Sequence, residues 1–177
     1  METQKFEIIS AESNIDWLGR KVTGAHNGTI SIKEGSLTFA DGQLTGGIFT
    51  IDTTSIKILD ITDPATNTQF AGHLASDDFF NSENYPDAQF VVTAIGKGEN
   101  GTYRITGDLT IKGITHPVSF YSQITVAADA ISASGKVMVD RTLYGMKFRS
   151  GNFFKDLGDT LIYNDFDLNV SITAKAV

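Results

Sequence analysis

The chain contains no cysteine among its 177 residues, and this absence excludes two kinds of chemistry. Without cysteine there is no disulfide framework and no thiolate nucleophile or ligand. Such a protein is indifferent to the redox state of its surroundings, so cysteine usage leaves the cellular compartment open.

An excess of positive charge is also lacking. The chain has 14 Lys and Arg against 21 Asp and Glu, which gives a formal net charge of −7. Nucleic-acid phosphates select basic surfaces, so we expect no nucleic-acid partner. Adhesion to anionic lipid headgroups is disfavoured for the same reason. The simplest interpretation is that the acidity keeps the protein soluble.

Long hydrophobic runs are absent. No apolar stretch approaches the ~18 residues that a membrane-spanning helix needs, so we expect no integral membrane segment. Residues 1–7 show neither the basic region nor the apolar stretch of a signal peptide. On this pattern the protein is either cytoplasmic or has lost a leader.

Catalytic and metal-binding motifs are missing as well. The sequence contains no GxSxG nucleophile elbow, no phosphate loop and no EF-hand spacing. Its three histidines, His26, His73 and His116, are too scattered to form a metal-ligand motif. We therefore expect no catalytic residue, no metal and no cofactor, and we expect that the protein is not an enzyme.

What the chain does have is an alternation of apolar and polar residues. With 41% hydrophobic and 20% charged residues, it has the composition of a soluble globular protein, and its length favours a single domain over residues 1–177. Successive side chains of a strand point to opposite faces, so period-two alternation predicts half-buried β-strands. The predicted inward faces are Ile105–Gly107–Leu109–Ile111, Val118–Phe120–Ser122–Ile124–Val126, Ile131–Ala133–Gly135–Val137–Val139 and Phe166–Leu168–Val170–Ile172.

Turn residues separate these runs. The dipeptides Asn27–Gly28, Asp41–Gly42 and Asn100–Gly101 are hairpin signals, because Asn, Asp and Gly tolerate positive φ at low cost. Short strands between regular turns predict an all-β sandwich or barrel.

One segment, Asp63 to Asn81, departs from the strand pattern. Asp63 followed by Pro64 is typical of a helix start. We expect Thr66 to Phe80 to be helical, to lie against one mouth or side of the barrel, and to bury Leu74, Phe79 and Phe80. A second irregular stretch, Tyr144 to Tyr163, is rich in Phe and Gly.

The inward faces mix large residues with very small ones. A solid core fills every position at crystal-like density, so small inward residues leave a lumen unless neighbours fill it. They are Ala94, Gly107, Ser122, Ala133 and Gly135. Glycines also relieve crowding where barrel strands bend, so the pattern alone leaves a filled core and a cavity equally open.

Phenylalanine is abundant, with twelve residues. Aromatic surface that needs no hydrogen bond suits an alkyl or isoprenoid chain, although each ring is individually more typical of ordinary core. Ten of them offer such surface: Phe39, Phe49, Phe79, Phe80, Phe90, Phe120, Phe148, Phe153, Phe154 and Phe166.

Four strings carry a family resemblance. They are HLASDDFF at 73–80, YPDAQF at 85–90, GDLTIKGITHP at 107–117 and DRTLYG at 140–145. In this order they resemble the YceI-like family of bacterial polyisoprenoid-binding proteins, and the resemblance runs from about Asn14 to the C-terminus. It implies an antiparallel lipocalin-like β-barrel of about eight strands, with a short helical insertion near residues 64–81. It also implies a periplasmic or secreted location if a leader was removed.

The resemblance implies a function without catalysis. The lumen would bind and carry a long apolar chain, such as a polyisoprenoid, an isoprenoid quinone or a fatty-acid-like lipid, and a homodimer is possible. Two alternatives stay open: a solidly packed barrel that binds a partner through its loops, and an enzyme acting on a lipid in the cavity. The predicted lumen lining is Trp17, Phe39, Phe49, Phe79, Phe80, Phe90, Leu109, Phe120, Ile124, Val137, Phe148 and Phe166.

A polar rim is predicted at His73, Asp78 and Arg141. For Arg141 we favour a structural role, an ion pair with Asp140 that holds the following irregular segment. The alternative is that its guanidinium meets a polar head such as a quinone carbonyl or a carboxylate.

Overall fold

The computed structural model describes residues 3–150 and 161–177. Over these residues the chain forms nine β-strands, one α-helix and two short 3-10 helices, Ser10–Glu12 and Arg141–Tyr144. The helix α1 is Pro64–Ala75. The strands are β1 (Thr3–Ile8), β2 (Asn14–Lys21), β3 (Gly24–Ala40), β4 (Gln43–Ile58), β5 (Asp87–Lys97), β6 (Thr102–Ile111), β7 (Ile114–Ala127), β8 (Ala130–Asp140) and β9 (Ile162–Ala176).

The strands form a closed antiparallel barrel. Each strand from β2 to β9 pairs with the next, and β9 returns to pair with β2. The short β1 pairs with β3 and β9 beyond the end of β2, so β1 and β2 together occupy one strand position. The barrel therefore has eight positions, and the predicted fold is confirmed.

The predicted inward faces are confirmed in the central strands. On β6, Tyr103, Ile105, Gly107, Leu109 and Ile111 are buried while Arg104 and Asp108 are exposed. On β7 and β8 the same alternation is present, although Val126, at the end of β7, is exposed. Of the small residues, Ala94 is exposed, because the irregular register between Val92 and Ala94 removes it from the inward series.

Two of the three hairpin predictions are confirmed and one is wrong. Asp41–Gly42 and Asn100–Gly101 form turns in which all four residues have positive φ. The Asn27–Gly28 prediction fails because β3 runs straight through both residues and the chain reverses at Val22–Thr23 instead.

Gly28 is not part of a turn, and its lack of a side chain allows Lys57 and Trp17 to pack closely against it. A Cβ added there would overlap the carbonyl oxygen of Lys57 and lie 2.7 Å from Cζ2 of Trp17. Glycine lets another backbone approach at such a point.

The helix begins as predicted and ends earlier. The carboxylate of Asp63 accepts hydrogen bonds from the backbone N–H of Thr66 (2.9 Å) and from its hydroxyl (2.6 Å), which is an N-cap. Ser76 then adopts an extended backbone and its hydroxyl donates to the carbonyl of His73. Residues 76–80 consequently form a bend and turns, so the helix predicted over Thr66 to Phe80 is confirmed up to Ala75 and wrong over its last five residues. Phe79 is buried as predicted, whereas Leu74 and Phe80 are half-buried.

The barrel end opposite α1 is filled with side chains. Phe6 of β1 packs edge-on against Phe39 of β3, with ring centroids 5.5 Å apart. Ile131 and Ala174 beside them are also buried. This plug, formed by Phe6, Phe39, Ile131 and Ala174, closes one end of the barrel.

The segment after β8 is held by buried side chains. The carboxylate of Asp140 accepts from the backbone N–H and the hydroxyl of Thr142. Tyr144 is 1% exposed, its ring packs edge-on against His116, and its hydroxyl has no partner among the described residues. Burial, together with the nearby charge of Asp140, raises the pKa of Tyr144 to about 12.

We expect Gly28→Ala to destabilise the barrel by about 1–3 kcal/mol, because the new methyl group overpacks a site between two strands. The matched control is Gly46→Ala on β4, where an added Cβ meets nothing within 4 Å and the change stays within about 0.5 kcal/mol. Urea denaturation of both variants measures the difference. Equal midpoints would contradict the packing role assigned to Gly28.

Tyr144 gives a pH-dependent prediction. The unfolded phenol loses its proton near its ordinary pKa of 10.0, whereas the folded one keeps it to about 12. The folded state therefore binds more protons in this window, and its stability falls as pH rises from 10 to 12. Tyr144→Phe removes this contribution, so denaturation at pH 9 and pH 11 should show a smaller alkaline loss for the variant. Identical losses would show that Tyr144 is not the responsible group.

Candidate functional site

A cavity of about 520 Å³ occupies the barrel end that carries α1. Its wall comes from the strand ends at that side of the barrel, from α1 and from the turn that follows it. The apolar residues of the wall are Ile15, Trp17, Ile30, Ile51, Ile56, Phe70, Leu74, Phe79, Phe80, Ala88, Leu109, Ile111, Met146, Phe148, Ile162, Phe166 and Leu168. We call this space the outer compartment.

A second cavity of about 110 Å³ lies deeper, between the outer compartment and the plug. We call it the inner compartment. Its wall is almost wholly apolar, and the hydroxyl of Ser122 is turned to the backbone carbonyl of Ser134 at 3.0 Å. Four residues, Ile15, Ile51, Leu109 and Leu168, belong to the walls of both compartments.

Most of the predicted lumen residues lie on these walls, and whether they bind a ligand stays a prediction. The outer compartment takes Trp17, Phe79, Phe80, Leu109, Phe148 and Phe166. The inner compartment takes Phe49, Phe90, Leu109, Phe120, Ile124 and Val137. Phe39 lines neither cavity, because it belongs to the plug. Phe153 and Phe154 lie outside the described residues.

Some of the small inward residues line a compartment and others do not. Ser122, Ala133 and Gly135 line the inner compartment, so they do contribute space. Gly107 lines neither compartment. A Cβ there would lie 2.7 Å from Cε1 of Phe90 and 2.7 Å from the carbonyl oxygen of Val91. The phenylalanine ring fills the space that the glycine leaves.

Arg141 is buried at the edge of the outer compartment without a carboxylate partner among the described residues. Its guanidinium donates to three backbone carbonyls, those of Tyr163 (2.9 Å), Met146 (2.6 Å) and Ile162 (3.0 Å). The expected ion pair with Asp140 is wrong, because that carboxylate caps Thr142 instead. Burial lowers the pKa of Arg141, and the charge of Asp140 partly opposes this.

The three carbonyls give Arg141 a structural role, since it connects the segment after β8 to the start of β9. Its guanidinium also lies 5.9 Å from the ring centroid of Phe79, on the cavity wall.

The two histidines on the wall are paired with acids. His73 Nε2 is 3.0 Å from Asp78, and its ring packs edge-on against Phe148. Asp78 is itself exposed and lies off the cavity wall, so of the predicted rim only His73 and Arg141 reach the cavity. His26 Nδ1 is 2.7 Å from Asp60. Slight desolvation raises the pKa of that carboxyl, but the hydrogen bonds from His26 and the Asn27 N–H outweigh it, and the net pKa is lowered.

Positively charged side chains are concentrated at the barrel end that carries α1, which is the open end of the outer compartment. The described wall of the outer compartment includes Arg20, Lys21, Arg141 and Arg149, against Asp165 as the one acid. Arg20 forms an ion pair with the buried Asp167. Within the described part of the chain, Lys21 and Arg149 have no acidic partner within 4.0 Å.

Sequence reasoning missed part of this site. Ile51 belongs to none of the inward faces predicted from the sequence, and alternation does not show that Ile15 and Ile51 line both compartments. Their place on both walls depends on strand register. Lys21 and Arg149 carried no local signal, because they reach the same cavity wall only through strand register, which places both beside Ile162 at the start of β9. Among the described residues, no three His, Asp or Glu side chains group in a way that would hold a metal ion. None of the helices over those residues is long and apolar enough to cross a membrane.

Comparison with known proteins gives curated relatives that match part of the chain. It is 35% identical over 108 residues to a UPF0312 protein of Photorhabdus laumondii, covering 56% of this chain and 50% of the relative. It is 30% identical over 131 residues to Protein YceI of Escherichia coli, covering 70% of this chain and 59% of the relative. The matched part thus spans little more than half the length of these relatives.

Solved structures share the fold over nearly the whole chain. Burkholderia cenocepacia BcnA has a TM-score of 0.75 at 21% identity, covering 95% of this chain and 99% of its own. A polyisoprenoid binding domain from Saccharophagus degradans has a TM-score of 0.69 at 13% identity, covering 97% and 98%. The model of the YceI-like domain matches residues 6–174. The resemblance carried by the four strings is thereby confirmed, and the chain belongs to the YceI-like family.

Proposed function

We propose that this protein binds and carries a single-chain amphiphile, with the apolar chain in the barrel and the polar head at the end beside α1. The observation that carries the proposal is the outer compartment itself, a cavity of about 520 Å³ with a largely apolar wall. Pockets of roughly 300–1,000 Å³ are typical of small-molecule sites. The family and the polyisoprenoid-binding neighbour support the same class of ligand.

Apolar burial supplies the affinity in this proposal. Each methylene transferred from water to the wall contributes about 0.8 kcal/mol before the cost of ordering the chain. A wall of aliphatic and phenyl groups does not distinguish an isoprenoid from a fatty chain by hydrogen bonding. The barrel therefore selects for an apolar chain of suitable length and width more than for a particular lipid.

The charge at the open end adds a preference for an acidic head. Lys21 and Arg149 are exposed, free of acidic partners among the described residues, and placed at the cavity wall. A carboxylate or phosphate head at this end would be attracted by the positive charges of Lys21 and Arg149, while the apolar chain stays in the lumen. This local cation pair is notable in a protein of net charge −7.

The proposed function is non-catalytic. On the described wall, the guanidinium of Arg141 is bonded to three backbone carbonyls, and the class of ligand that the family and the polyisoprenoid-binding neighbour support needs no reaction to be carried. The alternative of a solidly packed barrel requires a filled lumen, and a cavity of about 520 Å³ is at odds with it.

Binding in the outer compartment should change the fluorescence of Trp17, the single tryptophan. We expect a four-unit prenol to shift or quench its emission saturably after delipidation, since the chain replaces water beside the indole. Native mass spectrometry should give the same saturation and should detect lipid in the untreated protein. Saturation by mass spectrometry with unchanged emission would remove Trp17 from the binding wall, and no binding by either method would refute the proposed function.

The preference for an acidic head is tested with a matched pair of ligands, a sixteen-carbon fatty acid and the alcohol of the same chain. The double variant Lys21→Glu/Arg149→Glu should weaken binding of the acid by about 1–2 kcal/mol, or about 5- to 30-fold, because exposed pairs each contribute up to about 1 kcal/mol. Binding of the alcohol should change little. The loss should shrink with added salt.

The matched control is Lys5→Glu/Lys175→Glu, which reverses two exposed charges on β1 and β9 near the plug. It alters the net charge equally and should leave both ligands unaffected. If the control weakens the acid as much as the test variant does, the effect comes from net charge. An alkyl phosphate of the same chain length, measured in the same way, shows whether the site prefers a phosphate head or a carboxylate head.

A further inference from the structure

Arg141 is the most deeply buried charged residue on the described wall of the outer compartment. It is 3% exposed, whereas Arg20 is half-buried and Lys21 and Arg149 are exposed. Over the described residues, no carboxylate lies within 4.0 Å of its guanidinium. Because removing a charge from water is costly unless the charge is paired, the surroundings of this cation bear on what the cavity accepts.

The guanidinium of Arg141 has more donors than the described protein uses. It carries five N–H groups, and Nε and the two terminal nitrogens each donate to one backbone carbonyl. One N–H on each terminal nitrogen therefore has no acceptor among the described residues. The carboxylate of Asp140 acts on the charge only from beyond salt-bridge distance, because it caps Thr142. The neutral carbonyls leave the positive charge itself without a bound anion.

The groups around this guanidinium belong to the cavity wall. The three residues whose carbonyls it binds, Met146, Ile162 and Tyr163, all line the outer compartment. Phe79, whose ring centroid is 5.9 Å from Cζ of the guanidinium, lines it too and packs edge-on against Phe148. The cation thus lies among apolar side chains at the cavity, where a hydrogen bond is electrostatically stronger than in water.

We propose that Arg141 is an internal head-group site that receives the carboxylate of the bound amphiphile. The inference rests on the proposed function and narrows its ligand class to fatty or isoprenoid acids. A carboxylate supplies both oxygen acceptors and the negative charge that this cation lacks. Arginine suits the role because its planar guanidinium stays charged when buried and matches the carboxylate geometry. Lys21 and Arg149 attract the acid at the open end, and Arg141 holds it inside.

The first experiment compares hexadecanoic acid with hexadecanol on the delipidated full chain and on Arg141→Met, which keeps an apolar side chain but has no donor. The acid should bind about 10- to 100-fold more weakly to the variant, because a charge-assisted hydrogen bond is lost. The alcohol brings no charge and should lose about 3-fold or less. Added salt should leave the loss of acid binding in place, because buried pairs are screened much less than exposed ones.

The matched control is Arg104→Met, which removes the same charge from an exposed position on β6 that lines neither compartment. It should leave the binding of both ligands unchanged. An equal loss of acid binding in this control would assign the effect to net charge and overturn the proposal. So would a folded Arg141→Met that weakens acid and alcohol alike.

A second measurement leaves Arg141 in place, since this residue also connects the segment after β8 to the start of β9. In Arg20→Lys/Arg149→Lys, Arg141 is the one arginine left on the described wall. With nitrogen-15 in the arginine side chains and carbon-13 in the carboxyl group of hexadecanoic acid, solid-state NMR measures the distance between the two labels. A hydrogen-bonded pair should give about 4 Å or less.

The outcomes separate this inference from the proposed function. If the wild type binds neither the acid nor the alcohol, the proposed function itself fails. If both ligands bind but the two labels show no coupling, or if a folded Arg141→Met keeps the wild-type affinity for the acid, the head-group site at Arg141 is wrong while the carrier function stands.

Discussion

The pairing of β9 with β2 is the constraint on which the rest of the structure depends. Residues Asn14 to Lys21 meet Ile162 to Ser171, and this contact between the two ends of the chain closes the sheet. Closure leaves no free edge between these strands, and it separates an inside from an outside. Both compartments exist only because that inside is enclosed.

The inside is used differently along its length. Aromatic and aliphatic side chains fill the end beside β1, while the end beside α1 stays hollow and carries the charged groups. Since β1 lies on the same strand position as β2 but beyond it, the N-terminal strand supplies Phe6 to the plug. In the proposed function a ligand enters at the end beside α1, and the depth of the outer and inner compartments decides how much of it is buried.

Two buried charges support the hollow end. Arg141 ties three carbonyls around the start of β9, and Asp167 on the outer face of β9 is 1% exposed, between Arg20 and Lys136. Burying a charge is costly unless it is paired or hydrogen-bonded, so both residues fix the position of β9 against its neighbours. The wall of the outer compartment depends on that position through Phe166 and Leu168.

The sequence by itself determined the strands, their inward faces, two hairpins and the helix start, because these follow from local periodicity, positive φ and capping. It also determined the family. Only the tertiary structure decided how deep each inward residue lies. Alternation assigns a face but gives no position along the barrel axis, so it could not separate Phe39 in the plug from Phe49 on the cavity wall. For the same reason the sequence could not predict three further features, since each depends on neighbours that strand register brings close. They are the packing of the Phe90 ring against Gly107, the close approach of the Lys57 backbone to Gly28 and the burial of Asp167.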